Sequence, residues 1–190
     1  MRLRSEYENV FEDGSGLMKV HRGKTHKYLG MSLDFSHVNQ CRITMIDYVD
    51  EIVAAYDKAL NELDDGFTLV FKKGNRSKSS AAPDDLFVVD EDAEKLSEEG
   101  QTAFHHLVAK TLYISKHARP DLSTAIAFLT TRVKAPDIHD WRKLSHMMEY
   151  QRVERFRPLI LSADGSEYCC GMSMLHLLCI RICAATQVEG

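Results

Sequence analysis

Apolar residues recur along the chain with two different periods. From Gly16 to Met45, "GLMKVHRGKTHKYLGMSLDFSHVNQCRITM" has short apolar or alternating runs, broken by Gly23 and the polar "SHVNQ". That pattern predicts three strands of an antiparallel meander. The period then changes, with Met45, Val49, Ile52, Val53, Tyr56 and Leu60 falling at three- and four-residue spacing. This predicts an amphipathic helix, opened by Thr44 as its cap and closed before Gly66.

Three more helices are predicted between Gln101 and Val153. Phe104, Leu107, Val108 and Leu112 define a face on the first; Leu122, Ala125, Ile126, Leu129 and Val133 on the second; Trp141, Leu144, Met148 and Tyr150 on the third. Pro120 suits the first turn of the second helix, and Pro136-Asp137 with Asp140 three residues on resembles a cap before the third. The connections are short, which implies an antiparallel helical hairpin or three-helix bundle. "RPLILSAD", Arg157 to Asp164, alternates into one more strand.

Residues 66–100 follow neither period. "GFTLVFKKGNRSKSSAAPDD" joins a short apolar run to a basic, serine-rich stretch, and "VVDEDAEKLSEEG" is acidic, so this part reads as a linker of partial order and a domain boundary. Within it, "LFVVDED" is suited to docking as a short extended piece. The expected architecture is α+β. A meander and helix occupy 1–65, the linker 66–100, the bundle 101–157, and a terminal strand with an irregular tail 158–190.

Composition narrows the class. Of 190 residues, 44% are hydrophobic and 27% charged, as in an ordinary globular protein with one core or two small ones. No apolar run approaches the roughly 18 residues of a membrane span, and "MRLRSEYENVFEDGSG" has no apolar signal core. The expected setting is intracellular, cytoplasmic or nuclear, with no membrane partner. Cys41, Cys169, Cys170, Cys179 and Cys183 are an odd number with four crowded together, which favours free thiols over a disulfide framework.

Charge is uneven within a net of −4. Residues 83–100 hold eight acids and one lysine, whereas residues 101–157 hold ten basic and five acidic side chains. A helical segment of net +5 in an acidic chain suits a phosphate backbone or, equally, a solvated face with no ligand.

Candidate chemistry begins with Tyr48-Val49-Asp50-Glu51, one residue from the Tyr-x-Asp-Asp signature that holds polymerase metals. On a hairpin turn, adjacent carboxylates can both reach two Mg²⁺ ions. On a helix they diverge by about 100°, and the surrounding period is helical with no turn residue. The stretch therefore reads as a solvated helix face. His105-His106 point to different sides of a helix, and Cys169-Cys170 with Cys179 and Cys183 match no common zinc spacing. Asp164-Gly165-Ser166 is a turn signal. No catalytic residue and no metal ligand is assigned.

Several landmarks in order are similar to the C-terminal part of the reverse transcriptase of copia-type retrotransposons: "HKYLGMSLDFS", "ITMIDYVDEIV", "FHHLVAKTLYISKHARPDLSTAIAFLTTRVKAPDIHDWRKLSHMMEYQR" and "LILSADGS". The likeness runs from about Gly16 to Ser166. It implies that the catalytic aspartate pair lies upstream of Tyr28-Leu29-Gly30-Met31 and that "DYVDEIV" is a helix following the palm. It further implies that Tyr28, Leu29, Gly30 and Met31 form a strand guiding the primer end, and that the helices of 101–157 are thumb and connection elements clamping a primer–template RNA/DNA duplex. Lys110, Lys116, Arg119, Arg132, Lys134, Arg142 and Lys143 are then candidate phosphate contacts, although Arg119 with Asp121 can instead form a structural pair at a helix start. Mg²⁺ belongs to the complete family enzyme; no cofactor is expected in this fragment. The remaining parts of the polyprotein are its other implied partners. Without the aspartate pair the chain alone is expected to be inactive. A host-retained nucleic-acid-binding module and an inert relic or protein-interaction fold are the alternatives.

In the family, "LILSAD" leads into a ribonuclease H domain, whereas here the chain runs into "EYCCGMSMLHLLCIRICAATQVEG". Read one base early, allowed synonymous codons from Cys170 onward spell W-Y-V-D-A-S-F-A-V-H-P-N-M-R-G-H-T-G-G, similar to the start of that domain. A frameshift near Gly165-Ser166 is the expectation.

Overall fold

In a computed structural model of the protein, the described residues are 22–62 and 79–162. The meander is present: β1 (Thr25–Tyr28), β2 (Met31–Asp34) and β3 (Gln40–Thr44) pair antiparallel in chain order. β4 (Leu159–Ser162) adds to β3, also antiparallel, and completes a four-stranded sheet in the order β1-β2-β3-β4. The sequence "YLGM" is not one strand. Tyr28 pairs with Met31, so Leu29-Gly30 is a two-residue hairpin loop. Between β2 and β3, the Asp34 carboxylate accepts from Ser36 N–H at 2.8 Å, and Asn39 takes the left-handed conformation that its side chain tolerates.

Alternation decides which side of the sheet is dry. Met31 and Leu33 of β2, with Cys41 and Ile43 of β3, are buried. The intervening Ser32, Asp34 and Arg42 form the opposite, polar face, with Asp34 paired to Arg42 across the strands.

α1 (Ile46–Glu62) buries Val49, Ile52, Val53, Tyr56 and Ala59. Thr44 ends β3, and the first helical acceptor is the carbonyl of Met45, which bonds Val49 N–H at 3.0 Å; the helix thus starts one residue later than a Thr44 cap requires. α2 (Glu98–His117) begins before Gln101 because Ser97 caps it, its hydroxyl accepting from Gly100 N–H at 3.2 Å. A 3₁₀ turn, Pro120–Leu122, leads into α3 (Ser123–Arg132). α4 (Ile138–Val153) opens on a reciprocal capping box: Asp140 N–H donates to Asp137 and Asp137 N–H to Asp140, at 2.9 and 3.2 Å.

The four helices pack as one body, with α1 against both α2 and α4. Tyr56 of α1 and Phe104 of α2 lie beside Trp141 of α4 at ring distances of 6.3 and 6.5 Å. A single buried cluster joins the sheet residues to these helices. The boundary expected between the first helix and the bundle is therefore not a break in the core.

The linker expectation also needs correction over 79–97. Ala81 and Leu86 are buried in the common core. Lys95 forms an antiparallel bridge with Asp137, and backbone bonds from Leu96 N–H to Pro136 and from Ile138 N–H to Glu94 fix the approach to α2. Apolar side chains including Ala81 and Leu86, a few backbone bonds, and bonds from Arg142 to Asp85 and from Lys143 to the Val88 carbonyl dock a segment whose composition is that of a linker. Within "LFVVDED", the Leu86 side chain is buried and the Val88 carbonyl accepts from Lys143, while the Phe87, Val88 and Val89 side chains are exposed. The expected tail, with its four cysteines and the Asp164-Gly165-Ser166 turn, lies outside the described residues, as do 66–78.

Candidate nucleic-acid interface

The β1–β2 hairpin presents the family-like motif at an exposed tip. Leu29 and Gly30 have φ of 48° and 80°, positive at both loop positions as in a type I′ turn. Gly30 adopts this freely, whereas Leu29 does so against its Cβ, at a cost of about 1–2 kcal/mol. Tyr28 and Leu29 are 52% and 59% exposed, and Met31 is wholly buried, so the motif splits into a solvent-facing tip and a core anchor. Tyr113 of α2 reaches the tip, its hydroxyl donating to the Leu29 carbonyl at 3.0 Å. The Tyr113 ring is flanked by Tyr48 at 5.4 Å and His117 at 4.2 Å. Lys27, Tyr28, Leu29 and Gly30 on one side, with Asp47, Tyr48 and Glu51 on the other, line an open cleft of about 330 Å³.

The carboxylates of "DYVDEIV" are held by different partners. Asp50 meets Arg155 at 3.2 Å, beyond the end of α4, while Glu51 meets Lys110 of α2 at 2.7 Å. Asp57, two turns along, takes Arg152 of α4 at 2.6 Å. Asp50 and Glu51 thus tie α1 to its neighbours and do not converge on a point where a metal could sit. His105 and His106 are both exposed on α2.

The seven basic candidates fall into three groups. Arg119, Arg132 and Lys143 are turned inward. Arg119 is 2% exposed and donates to both Asp121 oxygens and to the Glu154 carbonyl at 2.8–3.2 Å, with Tyr150 under its guanidinium. The structural pair raised for Arg119 and Asp121 is the arrangement present. Arg132 bonds Asp140 and Asp137 at 2.9 and 3.0 Å, bracing the capping box. Lys143, also 2% exposed, donates to the Val88 carbonyl at 2.6 Å over the Phe128 ring. A phosphate could reach Arg119 or Lys143 only by breaking internal bonds, and Arg132, 21% exposed, keeps two of its nitrogens on the capping box. Lys110 and Arg142 are accessible but paired, Lys110 with Glu51 and Arg142 with Asp85. Lys116 and Lys134 are exposed and make no ion pair among the described residues.

These partnerships move the carboxylates. Burial pushes Asp121 upward, but the Arg119 guanidinium and the Tyr150 hydroxyl more than offset it and hold the carboxyl below its ordinary value. Asp137 behaves alike: burial raises it, and the Asp140 N–H, Arg132 and Lys95 bring it below normal. The hydrogen bond to Asp140, ahead of that to Asp137, holds Arg132 still more firmly protonated. Burial pushes the Tyr56 phenol up to about 12, so it stays neutral.

Sequence reading passed over Tyr113 and Lys27, and took Tyr48 only as part of a metal-site-like motif on a solvated helix face. An available signal was position: Tyr113 lies off the Phe104-Leu107-Val108-Ile114 stripe, at the edge of the core and only partly buried.

No family model, curated protein or solved structure matches the chain.

Proposed function

We propose that this chain is a non-catalytic C-terminal part of a copia-type reverse transcriptase, whose β1–β2 hairpin and neighbouring helix surface contact the backbone of a primer–template duplex. The observation that carries the reading is the placement of Tyr28-Leu29-Gly30-Met31: its tip is exposed and is bonded to a helix that also carries Lys110 and Lys116. A hairpin tip beside lysines can touch sugar and phosphate without reading bases, so the contact is independent of sequence and sensitive to salt.

The number of available cations limits the strength. Of the seven candidates, Arg119, Arg132 and Lys143 are engaged internally, Lys116 and Lys134 make no ion pair among the described residues, and Lys110 and Arg142, like Lys27, are recruitable by exchange of exposed carboxylates. Binding through these candidates alone is therefore weak. Nucleotide transfer and its Mg²⁺ belong to the aspartate pair of the complete enzyme, and the rest of the polyprotein supplies them.

A second reading, a relic or protein-interaction fold, draws on the inward-turned basic residues and on exposed Phe87, Val88 and Val89. Fluorescence anisotropy with a labelled RNA/DNA primer–template separates the two. The proposed function expects saturable binding that Tyr28→Ala weakens, and the second reading expects none. Binding by a chain expressed from its own transcript, outside any polyprotein, identifies a host-retained module.

A further inference from the structure

The hairpin tip adopts a conformation that its own sequence does not favour. Type I′ loops are preferred by Asn-Gly because asparagine tolerates positive φ, whereas Leu29 at φ 48° has no side-chain group to stabilise it locally. A two-residue loop offers little else within the hairpin to hold it. Among the described residues, the one side-chain hydrogen bond to this loop comes from outside the hairpin, from Tyr113 Oη to the Leu29 carbonyl at 3.0 Å.

Tyr113 is well set for that task. It sits in the last turns of the 20-residue α2, its ring between Tyr48 and His117, and His117 Nδ1 lies 2.7 Å from the Tyr113 carbonyl. The hydroxyl is therefore aimed before the hairpin meets it, and little freedom is lost in making the bond. We propose that Tyr113 is a positioning residue for the hairpin: its hydroxyl selects the left-handed conformation of Leu29, and so sets the direction in which Tyr28 and Lys27 face the cleft. The same bond holds the hairpin in fixed register with the α2 surface bearing Lys110 and Lys116. The ligand of this site rests on the proposed function; the conformational claim does not.

The test uses the full chain, labelled with ¹⁵N, as wild type, Tyr113→Phe, and Tyr113→Phe combined with Leu29→Asn. Removing the hydroxyl is expected to move the amide signals of Leu29, Gly30 and Met31 and the φ-dependent coupling of Leu29, while the Trp141 and Phe104 signals stay in place and the unfolding midpoint falls only slightly. Hybrid affinity is expected to fall roughly twofold to tenfold, the span of one ordinary net hydrogen bond. Adding Leu29→Asn to Tyr113→Phe should return the coupling to its wild-type value, because Asn-Gly favours the loop without help. Unchanged Leu29 coupling in Tyr113→Phe overturns the proposal. So does wild-type hybrid affinity in a variant whose loop has moved. If the wild-type chain binds no hybrid, the proposed function fails, and the coupling of Leu29 alone decides whether Tyr113 positions the loop.

Discussion

Asp50 and Glu51 are neighbours in sequence with separate partners in space, Asp50 bonding Arg155 and Glu51 bonding Lys110. The helical turn of about 100° between them converts what spells most of a polymerase metal site into two ties between α1 and the helices beside it. Both pairs are about half exposed, so each is worth at most about 1 kcal/mol. Asp50→Asn and Glu51→Gln should each lower the unfolding midpoint slightly and additively, with Mg²⁺ and Mn²⁺ leaving it unmoved. The purified chain should add no nucleotide to a primed RNA template with either ion. Incorporation abolished by Asp50→Asn contradicts this assignment.

Arg119 makes a sharper case. Its guanidinium is nearly inaccessible and Asp121 is its counter-charge, so Asp121→Asn leaves a buried cation uncompensated. The expected cost is about 3–5 kcal/mol, against about 0.5 kcal/mol or less for Lys116→Ala and Lys134→Ala at exposed sites. Urea denaturation of the three variants checks the contrast. Equal, small effects in all three would mean that Arg119 is not structural.

Acid sensitivity follows from the same groups. Asp121 and Asp137 have folded-state values below normal, so between those values and the ordinary value of about 4 the unfolded chain binds more protons than the folded one. Their contribution is complete above that ordinary value and is lost as pH falls through the folded values. Stability measured from pH 6 downward should therefore be level with respect to these groups until about pH 4 and then decline. Asp137→Asn, which keeps a good helix cap, should flatten the decline. An equally steep decline in that variant excludes Asp137 as a source.

The helices were readable because their signals are local. The three- and four-residue spacing of Val49, Ile52, Val53 and Tyr56 and the Asp137–Asp140 capping pair need no knowledge of the rest of the chain. What escaped depends on partners far away in sequence. Lys143 looks like any surface cation until Val88 supplies a carbonyl to it, and Arg119, whose local pair with Asp121 was legible, owes its bond to the Glu154 carbonyl to a distant segment. Segment 79–97 looks like a linker because few apolar side chains, Ala81 and Leu86 foremost, bury it, and its other ties run to Arg142 and Lys143 far along the chain. Leu29-Gly30 reads as strand because leucine is a poor candidate for positive φ, and the bond from Tyr113 lies 84 positions away.

The codons beyond the sheet offer a test at the level of the gene. If the chain derives from a copia-type polyprotein through a shift near Gly165-Ser166, its nucleotides from Cys170 to Gly190 should encode W-Y-V-D-A-S-F-A-V-H-P-N-M-R-G-H-T-G-G when read one base early. Transcript and genomic reads are the measurement. Codons that fail to spell this string remove the frameshift.

Engagement of a nucleic-acid backbone by a few exposed cations of the hairpin and helix surface is central to the proposed function. The most direct measurement is the affinity for an RNA/DNA hybrid as a function of salt, in the wild type and in a Lys116→Ala, Lys134→Ala double variant. Removing one lysine–phosphate pair should reduce the slope of log affinity against log salt by about one unit, whatever the sequence of the hybrid. The predicted result is weak binding with a measurable slope that the double variant makes shallower, while Asp50→Asn leaves it no shallower. Affinity and slope unchanged in the double variant, or no salt dependence at all, would contradict it.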